Sequence, residues 1–482
     1  MAQLSDEILD TPQAGPMVIR GSVLRVLGYG AGMLLSVGSA AVLLRYLSVA
    51  DFGRYTAVLS LVTIVAGLTD AGMTTIGVRE YTVREGEDRT RLMRNLLGMR
   101  LVLTLAGVGI AVGFGMIAGY TEAMVLGIAL AGAALVLQVV QGTIGVPLQA
   151  RLQLGMVTGL DLVRLAGMVL ALCVSILAGA GLAVLLAAPL PVAIVLVFVT
   201  ITLVRGAVPV APAFDRETWR DLLALTLPFA AATAVGTIYI YLTIVLMSLV
   251  TSEQETGIFG ASFRVFVVLG GVPGLLVGSA FPLLARAARD DRLRLGYAVQ
   301  RLFEICVICG IGVALVTIVA APVVIDVLGG DKYADAVPVL RIQAIAVLAS
   351  YLVALGGYTL LSLHRHRALL IANAVALVAS AGLTLALAPG LGAVGAAYAS
   401  VAGECTLAIG YLLALLRGAD GIEISLATLP RVALAASGAG AVVLLPVPVV
   451  VAAVLCAVVF VGLLVALRAL PAEVFEALRA RR

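Results

Sequence analysis

The segment LSVADFGRYTAVLSLVTIVAGLTDAG, residues 47–72, decides the fold class of this chain. Asp51 and Arg54 lie near its start and Asp70 near its end, and almost every residue between them is apolar or small. A helix that crosses a bilayer needs about 20 mostly apolar residues. The run is continuous and does not alternate as a barrel strand would. The segment therefore predicts a transmembrane helix.

Similar apolar runs follow one another along the whole chain. Of its 482 residues, 62% are hydrophobic and only 12% are charged, whereas soluble domains have about 25% charged residues. The sequence predicts an all-α, polytopic membrane protein of about 14 transmembrane helices. The predicted spans are approximately 21–46, 54–78, 95–119, 123–148, 158–178, 182–204, 222–250, 257–284, 302–328, 336–362, 368–388, 391–416, 429–446 and 448–468.

Arginine is concentrated in every second loop between these spans. The loop after the second span holds Arg79, Arg84, Arg89, Arg91 and Arg94, and the next loop, residues 118–123, has none. Cytoplasmic loops carry the excess of Lys and Arg. We therefore expect a multi-pass protein of the plasma (inner) membrane with both termini in the cytoplasm. The net charge of +4 follows from this topology and indicates no nucleic-acid partner.

Two halves of the chain are related by an offset of 204 residues. With this offset, Asp51-Phe-Gly53-Arg-Tyr55 aligns with Glu255-Thr-Gly257-Ile-Phe259, and Gly67 aligns with Gly271. Six helices separate the copies, an even number, which predicts parallel repeats related by an axis along the membrane normal.

The repeat and the loops divide the chain into six predicted segments. They are a cytoplasmic N-terminal tail (1–20), an N-lobe of six helices (21–206), a cytoplasmic linker (207–219), a C-lobe of six helices (220–418), two appended helices (428–469) and a cytoplasmic C-terminal tail (470–482).

Three stretches resemble a known family. Residues 47–72 are similar to the second helix of polysaccharide and oligosaccharide flippases, the Wzx-like branch of the multidrug/oligosaccharidyl-lipid/polysaccharide exporter superfamily. TGIFGASFRVFVVLGGVPGLLVGSAFPLLAR, residues 256–286, resembles the corresponding helix of the second lobe. LHRHRALLIANAVALVASAGLTLALAPGLGAVGAAYASVAGE, residues 363–404, resembles the eleventh and twelfth helices.

The resemblance implies a structure and a function. It implies a V-shaped pair of six-helix lobes around a central cavity that opens alternately to each side of the membrane. It also implies a transporter that flips polyprenyl-diphosphate-linked oligosaccharides for cell-surface polysaccharides such as lipopolysaccharide O-antigen or exopolysaccharide. The expected partners are the lipid-linked oligosaccharide, membrane lipids and polysaccharide assembly proteins.

Three arginines inside the predicted spans are the candidate substrate-binding residues. Arg264 lies seven residues into the eighth span, about 10 Å deep at 1.5 Å per residue. Arg341 and Arg25 lie near the ends of the tenth and first spans. Guanidinium groups match phosphate oxygens in a two-pronged geometry. Arg264 is therefore the first candidate for diphosphate binding, and the alternative for all three is that the side chain reaches back to the interface.

Two carboxylates inside the spans are the candidate ion-coupling residues. Glu404 lies near the middle of the twelfth span, and Asp70 lies toward the cytoplasmic side of the second. A buried carboxylate can bind Na⁺ or a proton and so couple transport to an ion gradient. Alternatively, either carboxylate pairs with an arginine, Glu404 bonds a neighbouring helix, or Asp70 satisfies backbone groups freed at a helix break. We expect no cofactor apart from such Na⁺ or proton coupling.

Glycine and proline at corresponding places in the two halves predict bends. They are Gly67 and Gly72 in the second span, and Gly271 and Pro273 in the eighth. Interrupted helices at matching positions of a repeat indicate a transporter's binding site. The alternative is that these residues only let helices pack closely.

Other functions fit the sequence less well. Loops of at most about twenty residues leave no room for a catalytic domain, so we expect no enzyme, and the five cysteines predict burial and no metal site. A multidrug exporter of the same fold should concentrate acids in its cavity, with few arginines. A membrane-embedded polymerase or ligase needs a larger outer loop than residues 329–335 provide.

Overall fold

The computed structural model describes residues 32, 35–70, 72–151, 153–204, 211–418, 422 and 424–469, and these residues form helices without any β-strand. The helices are α1 (Leu35–Tyr46), α2 (Val49–Asp70), α3 (Met73–Val83), α4 (Gly86–Ile117), α5 (Glu122–Ile144), α6 (Val146–Ala150), α7 (Leu154–Leu177), α8 (Leu182–Ala187), α9 (Pro189–Leu203), α10 (Arg216–Val250), α11 (Glu253–Asp290), α12 (Arg292–Gly329), α13 (Ala336–Ser362), α14 (His366–Leu416), α15 (Leu429–Gly440) and α16 (Val449–Ala466).

Eleven helical stretches among the described residues are long and apolar enough to cross a membrane. One of them, α14, is 51 residues long and consists of two helices that meet at Gly392, where φ is 57° and ψ is −136°. Two shorter apolar helices, α1 and Leu429–Leu444, accompany them. The predicted all-α, multi-span fold is therefore confirmed. Residues 21–31 of the first predicted span and both predicted tails lie outside the described residues.

Backbone contacts divide the chain into two compact units. The first comprises the residues up to Leu43 together with Leu61–Ala230, and the second comprises Leu44–Ser60 together with Ala231–Arg482. Helices α2 and α10 therefore each contribute residues to both units. The lobes drawn from the sequence, residues 21–206 and 220–418, and the appended segment 428–469 remain predictions.

In the first unit, α5 packs against α4, α8 and α9. Ile144, Leu148 and Leu196 are buried where α5, α6 and α9 meet. Asp215 caps the start of α10, because its carboxylate accepts a hydrogen bond from the backbone N–H of Glu217 at 3.3 Å. The carboxylate also accepts from the Thr218 hydroxyl at 2.5 Å and from the Arg91 guanidinium at 2.6 Å. These two bonds lower the pKa of Asp215 to about 2. The cap fixes where α10 begins after the linker.

In the second unit, α13 packs against α11, α12 and α14, and α16 packs against α12. A Cβ at Gly312 of α12 would come within 3.0 Å of the Phe460 ring of α16, so glycine provides room for that ring. The backbone N–H of Ser425 donates to the Gln300 side chain at 2.8 Å, and the Thr428 hydroxyl donates to Glu304 at 3.2 Å. These bonds attach the segment before α15 to α12.

Helix α2 crosses α11 within the second unit at two glycines. A Cβ at Gly53 would collide with the carbonyl oxygen of Glu253, and a Cβ at Gly257 would collide with the carbonyl oxygen of Val49. Only glycine allows the two backbones to come so close. An ion pair of 2.6 Å between Arg54 and Glu253 lies beside the crossing.

The two glycine contacts are related by the sequence repeat. The offset of 204 residues relates Gly53 to Gly257 and Val49 to Glu253. The contact of Gly53 with Glu253 therefore corresponds to the contact of Gly257 with Val49. Thr56 lies against Gly260, its own counterpart, and a Cβ at Gly260 would be 2.9 Å from the Thr56 hydroxyl. The offset that relates the sequences thus also relates the contacts at this crossing.

Candidate functional site

A cavity of about 400 Å³ lies inside the second unit, between four helices. Its lining residues are Ile240 and Tyr241 from α10, Phe266, Val267, Gly270, Gly271 and Gly274 from α11, Ser350, Val353, Ala354 and Tyr358 from α13, and Glu404 from α14. The lining is mainly apolar, with hydroxyl groups and one carboxyl group. Two residues singled out in the sequence, Glu404 and Gly271, therefore meet in one cavity.

Glu404 is held at the edge of this cavity by a tyrosine of α10. The Tyr239 hydroxyl donates to Oε1 of Glu404 at 3.0 Å, and only 7% of Glu404 is exposed. A Cβ at the neighbouring Gly403 would be 3.0 Å from the Tyr239 hydroxyl, so glycine permits this close contact. One turn further along α10, the Thr243 and Ser380 hydroxyls are 3.4 Å apart. The seam between α10 and α14 is therefore polar beside the carboxyl group.

Aromatic packing fixes the helices that form two walls of the cavity. The Phe263 ring of α11 lies 5.9 Å from the Tyr241 ring of α10, and 5.8 Å and 5.9 Å from Phe259 and Phe266. Ser252 caps the start of α11, since its hydroxyl accepts from the Glu255 N–H at 3.2 Å. These contacts determine which face of α11 the cavity meets.

Arg264 lies on that same face of α11. Val267 and Gly271, which line the cavity, follow it by three and seven residues, and such spacings place side chains on one side of a helix. The Arg264 side chain is half-buried and lies within electrostatic reach of Tyr55 and Tyr241. Among the described residues, no carboxylate forms an ion pair with it. The structure thus places an uncompensated positive charge beside the cavity.

The other two candidate arginines are not brought to this site. Arg341 is exposed, and its Nε donates to the carbonyl oxygen of Ile318 on α12 at 3.3 Å. It does not line the cavity. Arg25 lies outside the described residues. A role for either in substrate binding stays a prediction.

The candidate bend residues behave differently in the two spans. In the second span, α2 ends at Asp70, and Gly72 adopts a left-handed conformation with φ of 73° that glycine accommodates. Gly67 lies within the continuous part of α2. In the eighth span, α11 remains helical through Gly271 and Pro273. The interruption is therefore at Gly72, and motion at any of these residues stays a prediction.

Asp70 belongs to a separate polar cluster in the first unit. Its Oδ1 accepts from Arg100 Nη2 on α4 at 2.5 Å and from the Thr74 hydroxyl on α3 at 2.6 Å. The Asp70 side chain is 44% exposed, whereas that of Arg100 is 4% exposed. The bond between Thr74 and Asp70 joins the two sides of the break at Gly72, because Asp70 precedes it and Thr74 follows it.

Arg100 is the buried charge that the sequence reasoning missed. Its Nε and Nη1 atoms, and the hydroxyl of Thr104 one turn away, have no hydrogen-bond partner among the described residues. The signal was present, since Arg100 lies inside the predicted span 95–119 and intramembrane charges are rare and functional. In the sequence, however, Arg100 follows directly on the arginine-rich loop and is hard to distinguish from the arginines that set the topology.

The described residues contain no group of three or more His, Cys, Asp or Glu side chains that could hold a metal ion. Cys306 and Cys456 are buried, and Cys173, Cys309 and Cys405 are partly buried, all as free thiols.

Comparison with known protein families identifies the chain. A family model described as "Polysaccharide biosynthesis protein" matches residues 42–338, more than half of its length. The chain belongs to this family. The match includes α2, α11 and most of the cavity-lining residues. Among curated proteins, no sequence relative is found.

Solved structures share the fold of this chain. The lipid II flippase MurJ in an inward closed conformation has a TM-score of 0.77 at 11% identity, covering 92% of this chain and 98% of that one. An inward-facing multidrug resistance MATE family transporter of the MOP superfamily has a TM-score of 0.60 at 15% identity, covering 80% and 94%. A MOP superfamily transporter from Pyrococcus furiosus has a TM-score of 0.51 at 17% identity, covering 82% and 92%.

The family match and the shared fold confirm the resemblance to flippases of the exporter superfamily. The chain is a multi-pass membrane protein, and the solved structures that share its fold include a flippase and a multidrug transporter.

Proposed function

We propose that this protein flips polyprenyl-diphosphate-linked oligosaccharide units across the plasma membrane for the synthesis of a cell-surface polysaccharide. The observation that carries the proposal is the charge at Arg264. A half-buried guanidinium without a carboxylate partner is costly inside a membrane unless an anion or water compensates it. A diphosphate supplies that anion and fits the guanidinium in a two-pronged geometry.

The proposed mechanism is alternating access. The sugar-diphosphate head group enters from the cytoplasm while the polyprenyl tail stays in lipid. Two parallel six-helix lobes around a V-shaped cavity then rock, and the head group is released outside. Both termini lie in the cytoplasm in this proposal, and assembly proteins of the polysaccharide receive the product.

Glu404 is the proposed ion-coupling residue. Its carboxyl group is buried, has no arginine or lysine partner among the described residues, and borders the cavity. A proton or Na⁺ at this position would neutralise it. Asp70 is less suited to this role because Arg100 already compensates its charge at 2.5 Å.

A second candidate is export of small amphipathic cations. The specific observation that favours it is Glu404 at the edge of a mainly apolar cavity, since a carboxylate attracts an ammonium group. Arg264 opposes it, because a cation near the cavity would be repelled. A lipophilic cation that competes with the diphosphate substrate for transport would support this alternative.

The test replaces Arg264 by Ala and, as a milder change, by Lys. The protein is reconstituted in vesicles with a short-chain polyprenyl diphosphate that carries a glycan, and flipping is followed by a membrane-impermeant lectin. We expect Arg264→Ala to abolish flipping while the expression level and the stability against unfolding stay unchanged. Arg264→Lys should keep part of the flipping activity, because lysine retains the charge but not the two-pronged geometry. Arg45→Ala is the control, since Arg45 bonds the carbonyl oxygen of Val327 at 3.0 Å and does not line the cavity. Near-normal flipping by Arg264→Ala would refute the charge argument.

A further inference from the structure

The cavity in the second unit has an open floor formed by glycines of α11. A Cβ placed at Gly270 or Gly274 would meet no atom within 4 Å. Helix packing therefore does not require glycine at these two positions. Glycine in a helix interior is about 1 kcal/mol less favourable than alanine. Glycine here leaves the helix backbone uncovered toward the cavity, so that a ligand can lie directly against it.

The walls around this floor combine aromatic rings with polar groups. Tyr241, Phe266 and Tyr358 line the cavity, and Tyr358 is held by the Phe281 ring at 5.7 Å. The Ser350 hydroxyl and the Glu404 carboxyl group lie among the lining residues. Oε1 of Glu404 accepts from Tyr239, and Oε2 has no hydrogen-bond partner among the described residues. The cavity thus offers flat apolar surfaces together with hydrogen-bonding groups.

The ligand that fits these features is flat and amphipathic. A pyranose ring has two C–H faces that pack against aromatic rings and a bare helix backbone, and its hydroxyl groups project from the edge. One hydroxyl can donate to Oε2 of Glu404. The cavity of about 400 Å³ falls at the small end of the range of about 300–1,000 Å³ for ligand pockets, which suits one ring and not a whole oligosaccharide.

We propose that this cavity is a subsite for one neutral pyranose ring of the transported glycan. The inference rests on the proposed flippase function and names a contact that the diphosphate-binding role of Arg264 does not include. An acidic sugar fits less well. Its carboxylate would lie beside the Glu404 carboxyl group, which lines the cavity. Arg264 lies beside the cavity and not in its lining, and in the proposed function its charge is compensated by the diphosphate. The subsite therefore selects neutral rings over uronic acids.

The test fills the cavity without disturbing the packing around it. Gly274→Leu places a side chain in the open floor, and Gly109→Leu on α4 is the matched control, because Gly109 is exposed and a Cβ there also meets nothing within 4 Å. Three short-chain polyprenyl diphosphates serve as probes, carrying one neutral hexose, one hexuronic acid or no sugar. The full-length protein is reconstituted in vesicles, and the appearance of each probe in the outer leaflet is timed.

We expect Gly274→Leu to slow flipping of the hexose probe about tenfold, which corresponds to about 1.4 kcal/mol. Flipping of the sugar-free diphosphate should change by less than about twofold, a difference of about 0.4 kcal/mol, and Gly109→Leu should resemble the wild type. The wild type should also flip the hexose probe faster than the hexuronic acid probe.

Different failures distinguish the two proposals. Equal slowing of all three probes, or unchanged hexose flipping by Gly274→Leu, overturns the subsite and leaves the flippase function standing. A folded wild type that flips none of the probes overturns the flippase function and the subsite with it. If Gly274→Leu does not fold, Gly270→Val fills the same floor from the adjacent turn, and the same outcomes apply.

Discussion

Removing Asp70 should destabilise the protein more than removing Arg100, although the two side chains form one ion pair. The difference follows from their surroundings, since the Arg100 side chain is 4% exposed and that of Asp70 is 44% exposed. Asp70→Ala leaves a buried guanidinium without a hydrogen-bond partner among the described residues, because its Nε and Nη1 already lack one there. Arg100→Met leaves a half-exposed carboxylate that Thr74 still bonds.

The expected magnitudes come from these two situations. Breaking a buried ion pair so that one charge remains uncompensated costs about 3–5 kcal/mol. Leaving a half-exposed carboxylate without its partner costs about 0–1 kcal/mol. The double variant, which removes both charges, should recover most of the loss seen for Asp70→Ala.

Unfolding of the purified protein by increasing sodium dodecyl sulfate measures the effect in the wild type, both single variants and the double variant. The order of stability should be wild type and Arg100→Met, then the double variant, then Asp70→Ala. The reasoning is refuted if Asp70→Ala is as stable as Arg100→Met, or if the double variant is no more stable than Asp70→Ala.

Three further predictions concern coupling, packing and capping. Glu404→Gln should remove any response of transport to a Na⁺ or pH gradient, and Tyr239→Phe should keep it because the carboxyl group remains; an unchanged response in Glu404→Gln would exclude it as the coupling residue. Gly257→Ala should lower stability by about 1–3 kcal/mol through overpacking against the carbonyl oxygen of Val49, and Gly113→Ala, where a Cβ meets nothing within 4 Å, should not. Asp215 has a folded-state pKa of about 2, below its ordinary value of 3.8, so its cap stabilises the fold above about pH 4 and the stabilisation is lost as the pH falls toward 2. Thermal unfolding of Asp215→Asn should therefore differ from the wild type at pH 7 and converge with it at low pH, and a constant difference would contradict this assignment.

The transmembrane helices could be predicted because each is encoded locally by a continuous apolar run. The division of α14 at Gly392 is also local, since the predicted spans 368–388 and 391–416 already separate there. The interruption near Gly72 likewise follows from a residue type that tolerates positive φ.

The site could be predicted only in part. Its walls come from two pairs of consecutive helices, α10 with α11 and α13 with α14, and packing decides which face of each helix meets the cavity. The position of a residue along a span does not show toward which side of the helix its side chain points. Arg264 and Arg341 both lie inside predicted spans, but Arg264 lies beside the cavity and Arg341 is exposed. The sequence likewise does not show that Arg100 pairs with Asp70, since the two residues are 30 positions apart and lie on different helices.

The crossing of α2 and α11 also bears on how the chain arose. A half-length ancestor that paired with a second copy of itself would place identical residues against each other at the symmetry axis, as Thr56 and its counterpart Gly260 lie now. In such a homodimer one glycine, the forerunner of Gly53 and Gly257, would have served both contacts, so a single codon could have created the close approach. Gene duplication and fusion would then leave the two copies free to diverge at many positions, but not where their backbones touch.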